Sequence, residues 1–215
     1  MKILIINPNS DPAMTKAIGR TAAAFAGGAY ETECRPTPGA PKFIETYEDA
    51  AKAAPGMLAL VRENEIGSDG FVVACHCDPN LDLLKETTDK PVVGIGEASM
   101  KIASMLGHRF SVLSGARHSI PNKEALIRSY HLEGLLASVR AVEKGDYIKA
   151  GRTAIDRDGA EVIVLGCAGM TGLDKKLQAA LGAPVLDGVI CGLILAHGLA
   201  RYGVGPSKVR RYQPR

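Results

Sequence analysis

The stretch Gly70–Cys77, GFVVACHC, indicates the fold class of the chain more directly than any other segment. Its residues before Cys75 are apolar or small without polar alternation, which is typical of a strand buried on both faces of a parallel sheet. The stretch Val162–Met170, VIVLGCAGM, has the same pattern and also reaches a cysteine, Cys167. Because parallel sheets are covered by helices on both faces, these stretches predict an α/β fold.

Other apolar segments alternate with segments of helical periodicity on either side of these strands. We predict strands at Lys2–Ile6, Glu31–Arg35, Gly70–Ala74, Pro91–Gly94, Phe110–Leu113, Val162–Leu165 and Pro184–Leu186. We predict helices at about 12–26, 45–64, 81–87, 97–106, 123–130, 147–158 and 188–202. Ser10 or Asp11 before Pro12 marks the start of the first helix, and Asp78-Pro79 marks the start of the third.

The order of these segments indicates that the chain consists of two similar halves. In the first half, a strand ends in the polar loop Asn7–Ser10 and a later strand ends at Cys75. In the second half, a strand ends at Ser114-Gly115 and a later strand ends at Cys167. Parallel sheets bind ligands at the carboxyl ends of their strands, so we expect both cysteines to face one cleft. We predict a first lobe of residues 1–95 and 188–215 and a second lobe of residues 96–187.

The two cysteines have positions that suit acid/base chemistry. Each follows an apolar strand and precedes small or turn-forming residues, so the backbone N–H groups behind it are available as donors. Such donors lower a thiol pKa from about 8.5 and hold the oxygen of an enolate as its charge develops. Packing is the main alternative, because cysteine is among the most buried residue types. A metal site at Cys75-His76-Cys77 lacks a second ligand pair, and a Cys75–Cys77 disulfide would close a strained loop.

His76 is a rival candidate as the base because histidine titrates near neutral pH. Side chains alternate along a strand, so His76 points away from the cleft if Cys75 faces it, unless the turn has already begun. We predict that His76 lines the pocket or tunes a thiolate, with a solvated turn residue as the alternative. Cys34 and Cys191 lie in a weak strand and an apolar helix, where packing is the expected role.

Composition and charge argue against some classes of binding partner. The chain has 215 residues, 46% of them hydrophobic, which is enough for a substantial core. It carries 26 Lys and Arg against 23 Asp and Glu, and five of the basic residues lie in 188–215, where no acid occurs. The rest of the chain is therefore slightly acidic, and a basic end of this size is typical of a solvated segment. We expect a small-molecule substrate and no nucleic acid or membrane partner.

Cysteine usage and the start of the sequence predict a cytoplasmic protein. The cysteines are odd in number, five, and no signal-peptide pattern precedes the first strand. The longest apolar segment, 189–200, is interrupted by His197 and is shorter than the roughly 20 residues that cross a bilayer. Free thiols in a reducing compartment are the simplest explanation of this pattern.

Six ordered blocks resemble the hydantoin and allantoin racemases of the aspartate/glutamate racemase superfamily, and they extend over nearly the whole chain. The blocks are INPNSDPAMT (6–15), GAPKFIETYEDA (39–50), ACHCDPNL (74–81), PVVGIGEASMKIASMLGHRFSVLSGARHSIP (91–121), VLGCAGM (164–170) and LDGVICGLILA (186–196). Six ordered blocks, two of which carry the matched cysteines, are a far more specific signal than one short motif.

The resemblance implies two pseudo-symmetric flavodoxin-like lobes, with parallel sheets and an active site in the cleft between them. It implies Cys75 and Cys167 as the acid/base residues, with no cofactor and no metal, in an even homo-oligomer. The backbone after each cysteine, including Ala168 and Gly169, would receive substrate oxygens. The substrate site would also include Asn9, Ser10, Ile44, His76, Ser114 and Gly115.

Two departures from the family pattern bear on the substrate. The first cysteine motif usually resembles C-F-G/D-D-P, whereas here it reads Cys75-His76-Cys77-Asp78-Pro79, and two threonines are usual where this chain has Ser114-Gly115. The leading hypothesis is a cofactor-independent racemase of 5-substituted hydantoins. The alternatives are an allantoin racemase, a lyase or cis/trans isomerase that uses one cysteine, and a small-molecule binding protein without catalysis.

Overall fold

The computed structural model describes residues 1–213, and these form the predicted α/β fold. Within them, eight strands make two four-stranded sheets, each parallel throughout. The strands are β1 (Lys2–Asn7), β2 (Glu31–Pro36), β3 (Gly70–Val73), β4 (Val92–Gly94), β5 (Phe110–Ser114), β6 (Leu136–Ala141), β7 (Val162–Leu165) and β8 (Val185–Leu186). Residues 214 and 215, which close the predicted first lobe, lie outside the described residues.

A helix follows each strand, and in some of these helices a side chain caps the first turn. They are α1 (Pro12–Ala26), α2 (Tyr47–Glu63), α3 (Leu81–Thr87), α4 (Ile95–Leu106), α5 (Ile120–Ser129), α6 (Tyr147–Asp158), α7 (Asp174–Leu181) and α8 (Gly188–Tyr202). The Asp11 carboxylate accepts the Met14 N–H at 3.0 Å at the start of α1, as predicted. Thr46 and Asp49 form a capping box at the start of α2.

The two sheets repeat one topology. Their strand orders are β2-β1-β3-β4 and β6-β5-β7-β8, so each strand of the second half has a counterpart in the first. The strands β3 and β7, which precede the two cysteines, are counterparts, and both are fully buried. The prediction of two similar halves with parallel sheets is therefore confirmed.

Two elements, β6 and α7, are missing from the sequence predictions. Every residue of β6 is partly exposed because this strand pairs only with β5 at the edge of its sheet. Its sequence, LASVRA, therefore lacks the continuous apolar run of a central strand. The helix α7 has eight residues and buries a narrow stripe of Asp174, Leu177 and Leu181, which is too short a pattern to establish a period.

Two helices join the halves. Ile95 in α4 packs in the core of the first sheet, whereas Met100 in the same helix packs against Phe110 and the second sheet. The last helix, α8, returns to the first sheet and contacts β3 and β4. No helix among residues 1–213 combines the length and the apolarity that crossing a bilayer requires.

Candidate active site

A cavity of about 770 Å³ lies at the carboxyl ends of β3, β5 and β7, where the two halves meet. The loops after β3 and β7 contribute Cys75 and Cys167 to its lining, and the loop after β5 contributes Gly115. One wall, from the start of α2 and the segment before it, includes Ile44 and Tyr47. The volume of the cavity falls in the range of about 300–1,000 Å³ that is usual for small-molecule sites.

Cys75 and Cys167 occupy equivalent positions in the two halves. Each lies two residues beyond the end of its strand, and both thiols are partly buried at the cavity. Behind Cys167 the chain turns into a short 3-10 helix, so that the Gly169 N–H donates to the Cys167 Sγ at 3.4 Å. Behind Cys75 the Asp78 N–H closes a turn by donating to the Cys75 carbonyl at 2.9 Å. Both cysteines therefore line one cavity, as the sequence led us to expect.

Cys77 adds a third thiol to this cavity. Its Sγ lies 3.2 Å from the Cys75 Sγ, within hydrogen-bonding distance. The hydrogen bond with Cys75, assisted by the charge of Lys123, lowers the pKa of Cys77 to about 7 against the opposing effect of burial. The same hydrogen bond, together with burial, raises the pKa of Cys75 well above its ordinary value. Above about pH 7 the two sulfurs therefore share one proton.

Replacing Cys77 with serine is expected to raise the pH at which this pair first loses a proton by about one unit or more. The remaining thiol then has only its ordinary pKa of about 8.5, further raised by burial. The measurement is the pH dependence of iodoacetamide labelling at the peptide that contains residues 75–77. Cys34→Ser, a matched loss of one thiol outside the cavity lining, should leave the midpoint near pH 7. An unchanged midpoint in Cys77→Ser would contradict the shared proton.

His76 lines the same cavity, because the turn has begun by this residue and the alternation of the strand no longer applies. It is only 2% exposed, and its Nε2 lies 3.5 Å from the Ser99 hydroxyl. The Nδ1 atom has no hydrogen-bond partner among the described residues. Burial, and then the nearby charge of Lys123, lower the pKa of His76 well below its ordinary value. The imidazole is therefore neutral at neutral pH.

Lys123 in α5 is a cavity residue that the sequence motifs did not reveal. Its Nζ donates to the Gly166 carbonyl at 2.6 Å, directly before Cys167 in the chain. Lys123 lies two residues beyond the end of the fourth block, in a helix that begins inside that block. The one available signal was its place four residues before the buried Ile127, on the inward face of α5.

Asp78 fixes the loop that carries Cys75. Its carboxylate accepts the N–H groups of Gly96 and Glu97 at 2.9 and 2.6 Å, at the start of α4, and the Tyr130 hydroxyl at 2.8 Å. A Cβ atom on Gly94 would lie 2.3 Å from the Asp78 Oδ1, so this close approach requires glycine there. Burial raises the pKa of Asp78 to about 6 despite the three donors.

The predicted substrate residues divide into two groups. Ile44, His76 and Gly115 line the cavity. Within residues 1–213, the other predicted positions lie outside that lining and shape the loops around it; they are Asn9, Ser10, Ser114, Ala168 and Gly169.

These outer positions are held by local contacts. The Asn9 side chain bonds to Asn7 and to the Asp11 N–H, and Ser10 is exposed. The buried Ser114 hydroxyl lies 2.6 Å from the Ser119 hydroxyl. Their proposed role in substrate binding stays a prediction. Across residues 1–213, no group of three or more His, Cys, Asp or Glu side chains is arranged to hold a metal ion.

Comparison with known proteins identifies relatives over the full length of the chain. The hydantoin racemase of Pseudomonas sp. strain NS671 is 37% identical, and the match covers 99% of this chain and 91% of the relative. The hydantoin racemase of Rhizobium meliloti is also 37% identical, over 99% of this chain and 94% of the relative.

A solved structure and a family model agree with these relatives. The structure of allantoin racemase from Klebsiella pneumoniae superimposes with a TM-score of 0.93 at 33% identity, covering 100% of this chain and 94% of that one. The model of the family described as Asp/Glu/Hydantoin racemase matches residues 3–196. These matches confirm the resemblance inferred from the six sequence blocks. The chain therefore belongs to the Asp/Glu/hydantoin racemase family and is an isomerase.

Proposed function

We propose that this racemase inverts 5-substituted hydantoins by a proton transfer that uses Cys75 and Cys167 and no cofactor. One thiolate removes the proton from the carbon between a ring nitrogen and a carbonyl, and a planar enolate forms. The opposite thiol then protonates the other face of that carbon, which inverts its configuration. The supporting observation is that the two cysteines follow counterpart strands and line one cavity.

The rate acceleration available from such groups favours a cyclic imide as the substrate. Positioned acid/base groups supply about 10²- to 10⁴-fold in rate, and each donor to a developing enolate oxygen adds about 10²- to 10³-fold. These factors suit a C–H that the adjoining ring already acidifies, more than that of a free amino acid with an ionised carboxylate. For either direction of the reaction, one of the two cysteines must start as the thiolate and the other as the thiol.

Allantoin is the second candidate substrate. The close superposition on a protein described as an allantoin racemase supports it. The polar residues His76 and Cys77, where the family usually has an apolar ring and a small or acidic residue, also suit a polar substituent. Hydantoins and allantoin share the reacting ring carbon, so one mechanism serves both.

Incubation of separate optical isomers in heavy water tests this function. Each isomer of several 5-substituted hydantoins and of allantoin should lose optical rotation while it gains one deuterium at the ring carbon. Release of carbon dioxide from a malonate, or a shift of an alkene, without deuterium gain in any ring substrate would assign the chain to a lyase or cis/trans isomerase reaction instead.

We also propose that the protein acts in the cytoplasm. All five cysteines are free, which supports a reducing compartment. Fractionation of cells that express the full chain, followed by detection of the protein, tests this location, and its recovery outside the cytoplasmic fraction would reject it.

A further inference from the structure

Lys123 presents a buried positive charge without an acidic partner. The residue is only 9% exposed, and its Nζ donates to the Gly166 carbonyl. Among residues 1–213, no carboxylate oxygen lies within 4 Å of this Nζ. A lysine ammonium has three N–H donors, and buried charges are normally paired because desolvation is costly. The group therefore has unused capacity to bind an anion.

The position of this ammonium group is close to both cysteine loops. It donates a hydrogen bond to the carbonyl of Gly166, the residue before Cys167. Its charge also acts on His76 and Cys77 in the other loop. Ser119 and Asn122, near the start of the same helix, add polar groups to that wall of the cavity. The segment before α2 and the first turns of that helix add Ile44 and Ala50 to the lining, together with Glu45 and Thr46. A ligand beside α5 thus meets a cationic group among polar ones.

We propose that Lys123 binds a carboxylate on the ring substituent of the substrate, so that 5-(carboxyalkyl)hydantoins are the preferred substrates. This inference rests on the proposed racemase function and names the substrate class within it. The volume of about 770 Å³ leaves room for a substituent beside the ring.

Two other anions compete for the lysine. The Cys77 thiolate exists only above its pKa of about 7, whereas an alkyl carboxylate is ionised throughout the neutral range. The enolate oxygen is the second competitor, and it is common to acidic and neutral substrates. Specificity between those two kinds of substrate therefore distinguishes a role in substituent binding from a role in the reaction itself.

The test compares 5-(carboxymethyl)hydantoin and 5-(2-carboxyethyl)hydantoin with the corresponding carboxamides, which have nearly the same shape without the charge. The wild-type protein should favour each acid over its amide by about 10- to 100-fold in kcat/KM, as expected for a hydrogen bond to a charged group. Lys123→Met should reduce kcat/KM for the acids by the same factor and change that for the amides less than about threefold. Lys123→Arg should retain part of the preference for acids.

Equal losses for acids and amides in Lys123→Met would overturn the inference and assign the charge to the reacting centre. Equal rates for acids and amides in the wild type would also overturn it. Racemisation of the amides alone leaves the racemase function intact while the inference fails, whereas inertness of all four hydantoins rejects the function itself. Racemisation of aspartate and glutamate is measured separately. If these are inverted and the hydantoins are not, the carboxylate that Lys123 binds is that of a free amino acid.

The control variant is Lys176→Met, which removes an exposed lysine from α7, outside the cavity lining. It should reproduce the wild-type preference for acids. Thermal unfolding of each variant shows whether the fold is retained. If Lys123→Met does not fold, Lys123→Gln provides a polar replacement for the same four-substrate comparison, with the same expected loss for the acids.

Discussion

Replacing either Cys75 or Cys167 with alanine is expected to lower racemisation by about 10²- to 10⁴-fold, the contribution of a positioned acid/base group. Inversion needs a proton removed from one face of the carbon and another delivered to the opposite face. Neither thiol can perform both steps, so each single replacement should slow the reaction by this factor in both directions. The measurement is the change of optical rotation with each enantiomer as the starting material.

Hydrogen exchange without inversion gives a more specific expectation. In each single variant the remaining cysteine, when it is ionised, still removes and returns a proton on its own face. One enantiomer should therefore exchange its C–H with heavy water while it keeps its configuration, and the two variants should act on opposite enantiomers. Exchange of the same enantiomer by both variants, or full racemisation by either, would reject the two-base scheme.

Cys34→Ala provides the matched control for these losses. Burial raises the pKa of the Cys34 thiol to about 12, so it is not a base at neutral pH. This thiol packs against the core of the first sheet, outside the cavity lining. Its replacement should leave the racemisation rate within about threefold of the wild type, because no catalytic group is removed.

Asp78→Ala is expected to reduce the free energy of unfolding by about 3 kcal/mol or more, since three donors lose one buried acceptor and each unsatisfied group costs about 1–3 kcal/mol. The donors belong to α4 and to Tyr130, so the loop that carries Cys75 loses its attachment to both. Activity should fall as well. Urea unfolding at pH 7 measures the loss, and Tyr130→Phe, which removes only one of these bonds, should cost about 1 kcal/mol.

The pH dependence of stability offers a second readout for Asp78. Its pKa of about 6 in the folded protein lies above the value of about 3.9 for an unfolded aspartate. Proton binding therefore favours the folded state, and this contribution is complete below about pH 4 and lost as the pH rises through 6. Asp78→Ala should flatten the fall in stability between these pH values, and an unchanged slope would contradict the raised pKa.

The fold was predictable because its central strands are uninterrupted apolar runs in the sequence. Burial on both faces leaves β3 and β7 no polar positions, so their ends, and with them Cys75 and Cys167, could be located from the sequence. The edge strand β6 is half exposed, so the same rule does not identify it. Helix boundaries were accurate wherever a side chain caps the first turn, as Asp11 does for α1.

The composition of the candidate site was less predictable, because it depends on packing between distant segments. Lys123 joins the cavity only when α5 lies beside the loop after β7, which is 43 residues away in the chain. Cys77 and His76 adjoin Cys75 in sequence, but the turn that begins there decides their direction. Asn9 and Ser114 were placed correctly at strand ends, yet their hydrogen bonds serve the loops themselves.

The return of α8 to the first sheet has a consequence for biosynthesis. Val189 and Leu193 of this helix share a buried core with Ile5 and Val72, so one side of the N-terminal sheet lacks part of its cover until residue 202 has left the ribosome. Domains usually fold in the order of their synthesis. Here an apolar surface of the nascent N-terminal half stays exposed while the whole second half is translated. A chaperone that binds apolar surfaces would have the most time to bind during that interval.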